Sequence, residues 1–320
     1  MRFLFLGAGA VSAAALGLLS ARHQVAVTSV PEHSRPHSPS DNSSSGRVLR
    51  YAKASRSGTS PVHSQPVLPW QEALDQPWDV IVLSMRPQDL DETRWDDLRA
   101  SNSPWLATVS QVEGDLAVLA DRIALTHTRS AIFAPELLSW RQASTDGQPA
   151  APIRYWCPPG IAPFRVAVRA QDRAAARKDF AGVFPVGEEK ALLERAAWMI
   201  PWAAELTAHE GDWAAFLKHL PHARKAMREA RRASRPDHHS ILPAPGTFAI
   251  PAWSVGLALR VGQRLAPLDF AAYLAEHFER HRAQTVDMLS GWIEAAPESS
   301  PTLRELRQTL SRTPGTSQEG

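Results

Sequence analysis

The sequence predicts an α/β domain with a mostly parallel sheet, followed by an all-α domain. Three observations carry this reading. The first thirty residues alternate apolar run, glycine-rich turn, small-residue helix and β-branched run. Further short apolar runs recur at 79–84 and 105–110, separated by stretches of helical character, as parallel strands joined by crossovers require. From residue 188 onward the pattern turns helical almost throughout.

Phe3, Leu4, Phe5 and Leu6 have the length and composition of a strand buried on both faces. Gly7, Ala8, Gly9, Ala10, Val11 and Ser12 follow at once, and 13–21 reads as a helix. His23 and Gln24 make a turn, and 25–28 is a second strand. This is the opening βαβ unit of a Rossmann-type, dinucleotide-binding fold. Gly7 permits the tight turn, and Gly9 lets backbone N–H groups approach a pyrophosphate at the positive end of the helix. Ser12 stands where the pattern has its third glycine, a position that wants a small residue. Arg2 and the apolar run also fit a secretory signal peptide. Two glycines at turn spacing, an apolar strand directly afterwards and a single cysteine in 320 residues favour the fold.

At 320 residues the chain has room for two cores, and a hydrophobic content of 44% with 21% charged residues is that of a globular protein. A net charge of +2 makes no case for nucleic acid. Past the first helix no apolar run reaches membrane-spanning length, so no membrane partner and a cytoplasmic location are expected. Cys157, in a loop before Pro158, Pro159 and Gly160, excludes an intrachain disulfide and reads as an inert thiol.

Between the two long strands the chain reads in shorter pieces. Residues 31–46 form a polar loop, 48–51 and 61–63 short strands or a hairpin, and 69–74 a brief helix. Residues 116–123 look helical, with a strand at 123–126. Strands at 153–156 and 164–168 and a helix at 174–182 follow. The domain boundary falls near Gly187, giving domains 1–187 and 188–312 and a disordered tail 313–320. Helices are expected near 188–208, 211–233, 250–263, 267–295 and 301–311.

GAGAVS after the first strand, WDVIVLSMRPQDL at 78–90 and AEHFERHRAQTVDML in the C-terminal half, in this order of domains, resemble the ketopantoate reductase family. The resemblance covers most of the chain. It implies reduction of a 2-keto acid by NADPH in a cleft between the domains. Arg86 stands where the family has a cofactor-contacting lysine, and Gln111 roughly where it has an asparagine. The catalytic lysine of the second domain falls near Ala196, and no lysine occurs between Lys190 and Lys218. The resemblance therefore implies a divergent NADP-dependent oxidoreductase acting on a keto or imine group of a noncanonical small molecule. A non-catalytic dinucleotide-binding protein is the alternative, and a homodimer is a further possibility.

Candidate site residues follow from these positions. Gly7, Ala8, Gly9, Ala10, Val11 and Ser12 would bind the dinucleotide, with Ser29, Arg35 and Arg86 toward its phosphates. Thr28 and Ser29, with no acid at the end of the second strand and with His33 and Arg35 nearby, favour NADP over NAD. Glu205 and His209 share a helix face and are the candidate proton donors, with Gln111 in support. No metal site is expected: His277 and His281 share a face but have charged neighbours and no third ligand, so they read as a solvated face. Paired His238 and His239 receive no role. Arg224, Arg228, Arg231 or Arg232, and Arg235 make a basic stripe suited to an anion, with a solvated face as the default. Trp198, Trp202 and Trp213 suit either an apolar substrate pocket or core packing.

Overall fold

A computed structural model describes residues 1–31, 47–55, 60–124, 126–141, 151–234, 256–257, 259–261, 264 and 266–312. It divides into two compact units, Met1–Glu189 and Lys190–Gly320.

The first unit is built on a seven-stranded sheet of order β11-β10-β7-β6-β5-β1-β2. Its strands are β1 (Arg2–Leu6), β2 (Gln24–Thr28), β5 (Val80–Leu83), β6 (Trp105–Thr108), β7 (Arg129–Pro135), β10 (Phe164–Val168) and β11 (Val186–Glu188). Strands β2, β1, β5, β6 and β7 run parallel, and β10 is antiparallel to β7. Phe3, Leu4, Phe5 and Leu6 have no solvent exposure, as the near-continuous apolar run requires of a central strand.

A second sheet, of order β4-β3-β9-β8, is formed by β3 (Val48–Lys53), β4 (His63–Pro66), β8 (Leu138–Arg141) and β9 (Ile153–Trp156). Helix α1 (Ala10–Leu19) shares one core with Phe3 and Phe5 of the large sheet and with Leu49, Ile153 and Tyr155 of the second sheet, against whose strands β3, β8 and β9 it packs. That explains its composition, since a helix covered on two sides needs small residues all round rather than one apolar stripe. At Gly17 an added Cβ would lie 2.2 Å from the Tyr155 ring, whose hydroxyl donates to the Gly17 carbonyl at 3.2 Å. Short helices α2 (Trp70–Leu74), α3 (Glu92–Ala100), α4 (Asp115–Arg122) and α5 (Arg173–Asp179) complete the unit.

The second unit contains α6 (Glu189–Ala208, whose first residue closes the first unit), α7 (Trp213–Lys218), α8 (Leu220–Ala233), α9 (Phe270–Arg280), α10 (Arg282–Ala295) and α11 (Pro301–Ser311). Trp202, Leu206, Phe216, Leu220, Ala223 and Met227 form one core, with Trp198 and Trp213 packed against it. The tryptophans thus serve packing.

Several sequence expectations are corrected. The strand expected at 123–126 begins later: the Thr126 hydroxyl and N–H both return to the Ile123 carbonyl, and the strand starts at Arg129. The single helix expected over 211–233 is two, because Pro221 cannot continue α7 and instead opens α8. The helix over 267–295 is likewise broken at His281, between α9 and α10. His277 is not a solvated face. It stacks on Tyr273 at 5.4 Å and meets His281 at 4.7 Å, and burial pushes its pKa down to about 4. The polar loop 32–46, His238, His239, Arg235, most of the helix at 250–263 and the tail lie outside the described residues.

Candidate functional site

Loops following β1, β5, β6 and β2 emerge at one edge of the sheet because these strands are parallel. The chain order reverses at β1, which has β2 on one side and β5 on the other; this is the switch point where a crevice opens in such sheets. Gly7 has φ +108°, which an L side chain rarely adopts, and its N–H donates to the Thr28 carbonyl at 2.7 Å. Gly9 caps the N-terminus of α1 in extended backbone, and nothing lies within 4 Å of the position a Cβ would take. Ala8 is exposed enough to border that space, and Ala10 and Val11 are half-buried on the first turn. Free N–H groups and the helix dipole at this end of α1 therefore lie beside a position that no side chain fills.

Ser12 is fully buried and does not face that space. Its hydroxyl donates to the Gly7 carbonyl and meets the Ser84 hydroxyl at 2.9 Å, tying the loop after β1 to the one after β5. Thr28 is also fully buried, its hydroxyl donating to the Leu68 carbonyl at 2.8 Å. The hydroxyl expected to favour a 2′-phosphate is thus turned inward, leaving Ser29, which is half-buried, while Arg35 lies outside the described residues.

Arg86 is engaged. Its guanidinium grips both oxygens of Asp115, at 3.2 Å each, and Asp115 is fully buried at the first residue of α4. Gln88 donates to the same carboxylate at 2.6 Å, and so does the Ser110 hydroxyl. The sequence reading missed Asp115, which looks from its position like a helix-start acid. Gln111, next to Ser110, is half-buried and makes no hydrogen bond among the described residues. Nearby, burial pushes the Glu189 carboxyl up, with Glu113 adding to the shift and Arg169 opposing it.

The second unit gathers a different group. Glu205, on α6, is 3% exposed. Its Oε1 lies 3.1 Å from Nε2 of His209, one helical turn on, and its Oε2 lies 2.6 Å from Nδ1 of His222. His222 Nε2 in turn meets Glu305 of α11 at 3.2 Å. Burial lowers the His222 pKa, but hydrogen bonds to Glu205 and Glu305 outweigh it, so the net shift is upward. The chain turns back after α6, with Gly211 N–H on the Leu206 carbonyl and Asp212 capping α7 through Ala214 and Ala215. That return sets the His219 ring 4.2 Å from the His209 ring. Sequence spacing paired Glu205 with His209 and missed His219, His222 and Glu305. Ala196, where the resemblance puts a lysine, is buried at 5% exposure. Cys157 accords with an inert thiol, burial raising its pKa.

No protein-family model and no curated protein sequence matches this chain. Among solved structures, the probable 2-dehydropantoate 2-reductase of Bacillus subtilis is similar over 97% of this chain and 99% of its own, with a TM-score of 0.59 at 13% identity. The chain has the ketopantoate reductase fold. A dimeric ketopantoate reductase from Staphylococcus aureus shares that fold over 97% of both chains, with a TM-score of 0.52 at 10% identity. Octopine dehydrogenase, in complex with NADH and agmatine, is similar over 97% of this chain and 88% of its own, with a TM-score of 0.53 at 11% identity. Within the ketopantoate reductase fold the Gly7–Ser12 segment is the first strand-to-helix turn. Among the described residues no helix is long and apolar enough to cross a membrane.

Proposed function

We propose that this chain is a nicotinamide-dependent oxidoreductase that reduces a C=O or C=N group of a small molecule and prefers NADP to NAD. The open approach at Gly9, on the N-terminus of α1 and at the sheet's switch point, carries the proposal. A bound nicotinamide dinucleotide supplies the hydride. The backbone N–H groups of Gly9, Ala10 and Val11 receive the pyrophosphate, while Ser12 holds the loop in shape. The NADP preference rests on Ser29 and on the absence of an acid at the end of β2. Arg86, held by Asp115, orders the loop after β5 rather than offering a free charge. Similarity of fold to octopine dehydrogenase with NADH and to ketopantoate reductases supports the cofactor class.

Reduction of a ketone leaves charge on oxygen that a proton must neutralise. We assign that proton to the Glu205–His209 pair of the second unit. An imine protonated before hydride transfer needs no such acid, so C=N substrates fit the lysine-free helix well. The buried Ala196 supports a second reading, a dinucleotide-binding chain without turnover. The dimer described for the Staphylococcus aureus protein supports a homodimer here, which light scattering on the purified chain tests.

Fluorescence titration with NADPH and NADH decides the first point. Micromolar or tighter NADPH binding, weaker NADH binding and loss of both in Gly9→Val are expected; equal binding by Gly9→Val overturns the assignment. On chelator-treated protein, Glu205→Gln and His209→Ala should lower ketone reduction about 10²–10⁴-fold while leaving NADPH affinity unchanged. Wild-type turnover in both returns these residues to a structural role.

A further inference from the structure

We infer that Glu205, His209 and His219 form a binding site for a divalent transition-metal ion of the zinc class. The ligand atoms these three side chains offer all lie within 4.8 Å of one another. A tetrahedral ion with bonds of about 2.0–2.1 Å holds its donors about 3.4 Å apart. Glu205 and His209 already stand at 3.1 Å, so only His219 has to move inward. His219 sits exposed in the turn between α7 and α8, its ring already 4.2 Å from the His209 ring.

The surroundings prepare these groups as ligands. Nδ1 of His219 lies 2.9 Å from the Ala215 carbonyl, which can only accept. Nδ1 therefore carries the proton, and Nε2 of the neutral ring has its lone pair free. A ring N–H donated to a backbone carbonyl is how metal-binding imidazoles are commonly oriented. Glu205 is held in the same way: His222 fixes Oε2 at 2.6 Å, and Glu305 fixes His222 from its other nitrogen. Oε1 is left toward the two remaining histidines.

The donor set selects the ion. Two imidazoles and one carboxylate suit zinc and its first-row neighbours, whereas calcium and magnesium take oxygen ligands. Three protein ligands leave a coordination position open, and exposed His219 gives the ion a route in. The other histidine pair does not compete on these terms. His277 is packed against Tyr273 and Phe278, and no third ligand joins it and His281 among the described residues.

This inference stands apart from the hydride reading. Metal and proton compete for the same lone pairs, so turnover is assayed on chelator-treated protein and metal binding on reloaded protein. Either can fail alone.

The test titrates the chelator-treated full chain with zinc and cobalt(II) by calorimetry, and records the visible spectrum of the cobalt form. One saturable equivalent with a His/carboxylate-type cobalt spectrum is expected. His219→Ala removes a ligand whose ring makes one hydrogen bond on an exposed turn; it should stay folded by circular dichroism and lose the saturable site. His222→Gln, which touches Glu205 and not the ion, should weaken binding about 10–100-fold. The His277→Ala/His281→Ala double variant should bind as wild type. Absence of a saturable equivalent overturns the proposal, as does undiminished binding by His219→Ala. Loss of binding in the His277/His281 variant alone also overturns it.

Discussion

Asp115 in the first unit and Glu205 in the second are both carboxylates shut away from solvent, and they are neutralised in opposite ways. Asp115 is gripped by a guanidinium that stays charged at any working pH, and by Gln88 and Ser110, which do not titrate. Glu205 is met by two imidazole rings, His209 and His222, and its contact with His222 helps raise the pKa of that ring. The first arrangement fixes the loops after β5 and β6 and can do little else. The second can hold a proton, pass one along or exchange it for a metal. The residues best placed for exchange chemistry are thus found by asking what satisfies a buried charge, not by counting buried charges.

Removing the permanent cation should produce the largest effect. Arg86→Met leaves Asp115 buried with neutral donors only, and should cost about 3 kcal/mol of stability. A shift of the urea midpoint at unchanged slope measures it. Adding Asp115→Asn should recover part of that loss, because it removes the stranded charge; a fully additive double variant would show that the two side chains do not act as a pair.

A histidine without a carboxylate is the counter-case to His222, and pH exposes it. His277 lies among rings and remains neutral in the folded chain down to about pH 4. The unfolded chain takes up that proton at the ordinary value of 6.5, so the contribution is complete above 6.5. It is lost as pH falls from there to about 4, amounting to about 2 kcal/mol once the open edge of the ring is allowed for. Subtracting the denaturation profile of His277→Phe isolates it. An identical slope in variant and wild type would remove the claim.

Glu205→Gln should be the mildest disruption, about 1 kcal/mol, since the amide still accepts a hydrogen bond and His222 retains Glu305. Its sharper readout is His222 itself. With one carboxylate gone, its proton NMR titration should move down toward the ordinary imidazole range. An unmoved midpoint would mean that Glu305 alone sets it.

Much of this was legible in the chain. Buried strands such as β1, β5, β6 and β10 announce themselves as short apolar runs, and the Gly7–Gly9 turn follows from spacing. Boundaries governed by polar side chains were not legible. Ile123 and Thr126 have strand composition, yet the Thr126 hydroxyl closes a turn. The site in the second unit was half visible. Glu205 and His209 are one helical turn apart, whereas His219 and His222 arrive through a turn and a proline that periodicity does not describe. The spacing of His219 and His222, three residues apart at a helix start, was the available signal. Arg86 and Asp115, 29 residues apart, offered none.

The packing of Gly17 beneath Tyr155 bears on the order in which the protein can be made. Helix α1 leaves a ribosome well before β9, yet part of its cover belongs to β9, and the Tyr155-to-Gly17 bond spans 138 positions. Until residues 153–156 have emerged, the helix that follows the Gly7–Gly9 turn lacks the Tyr155 part of its cover. Helix α1 is therefore completed late, and a truncation ending before β8 would carry every residue of the Gly7–Ser12 turn without the Tyr155 ring that packs on its helix.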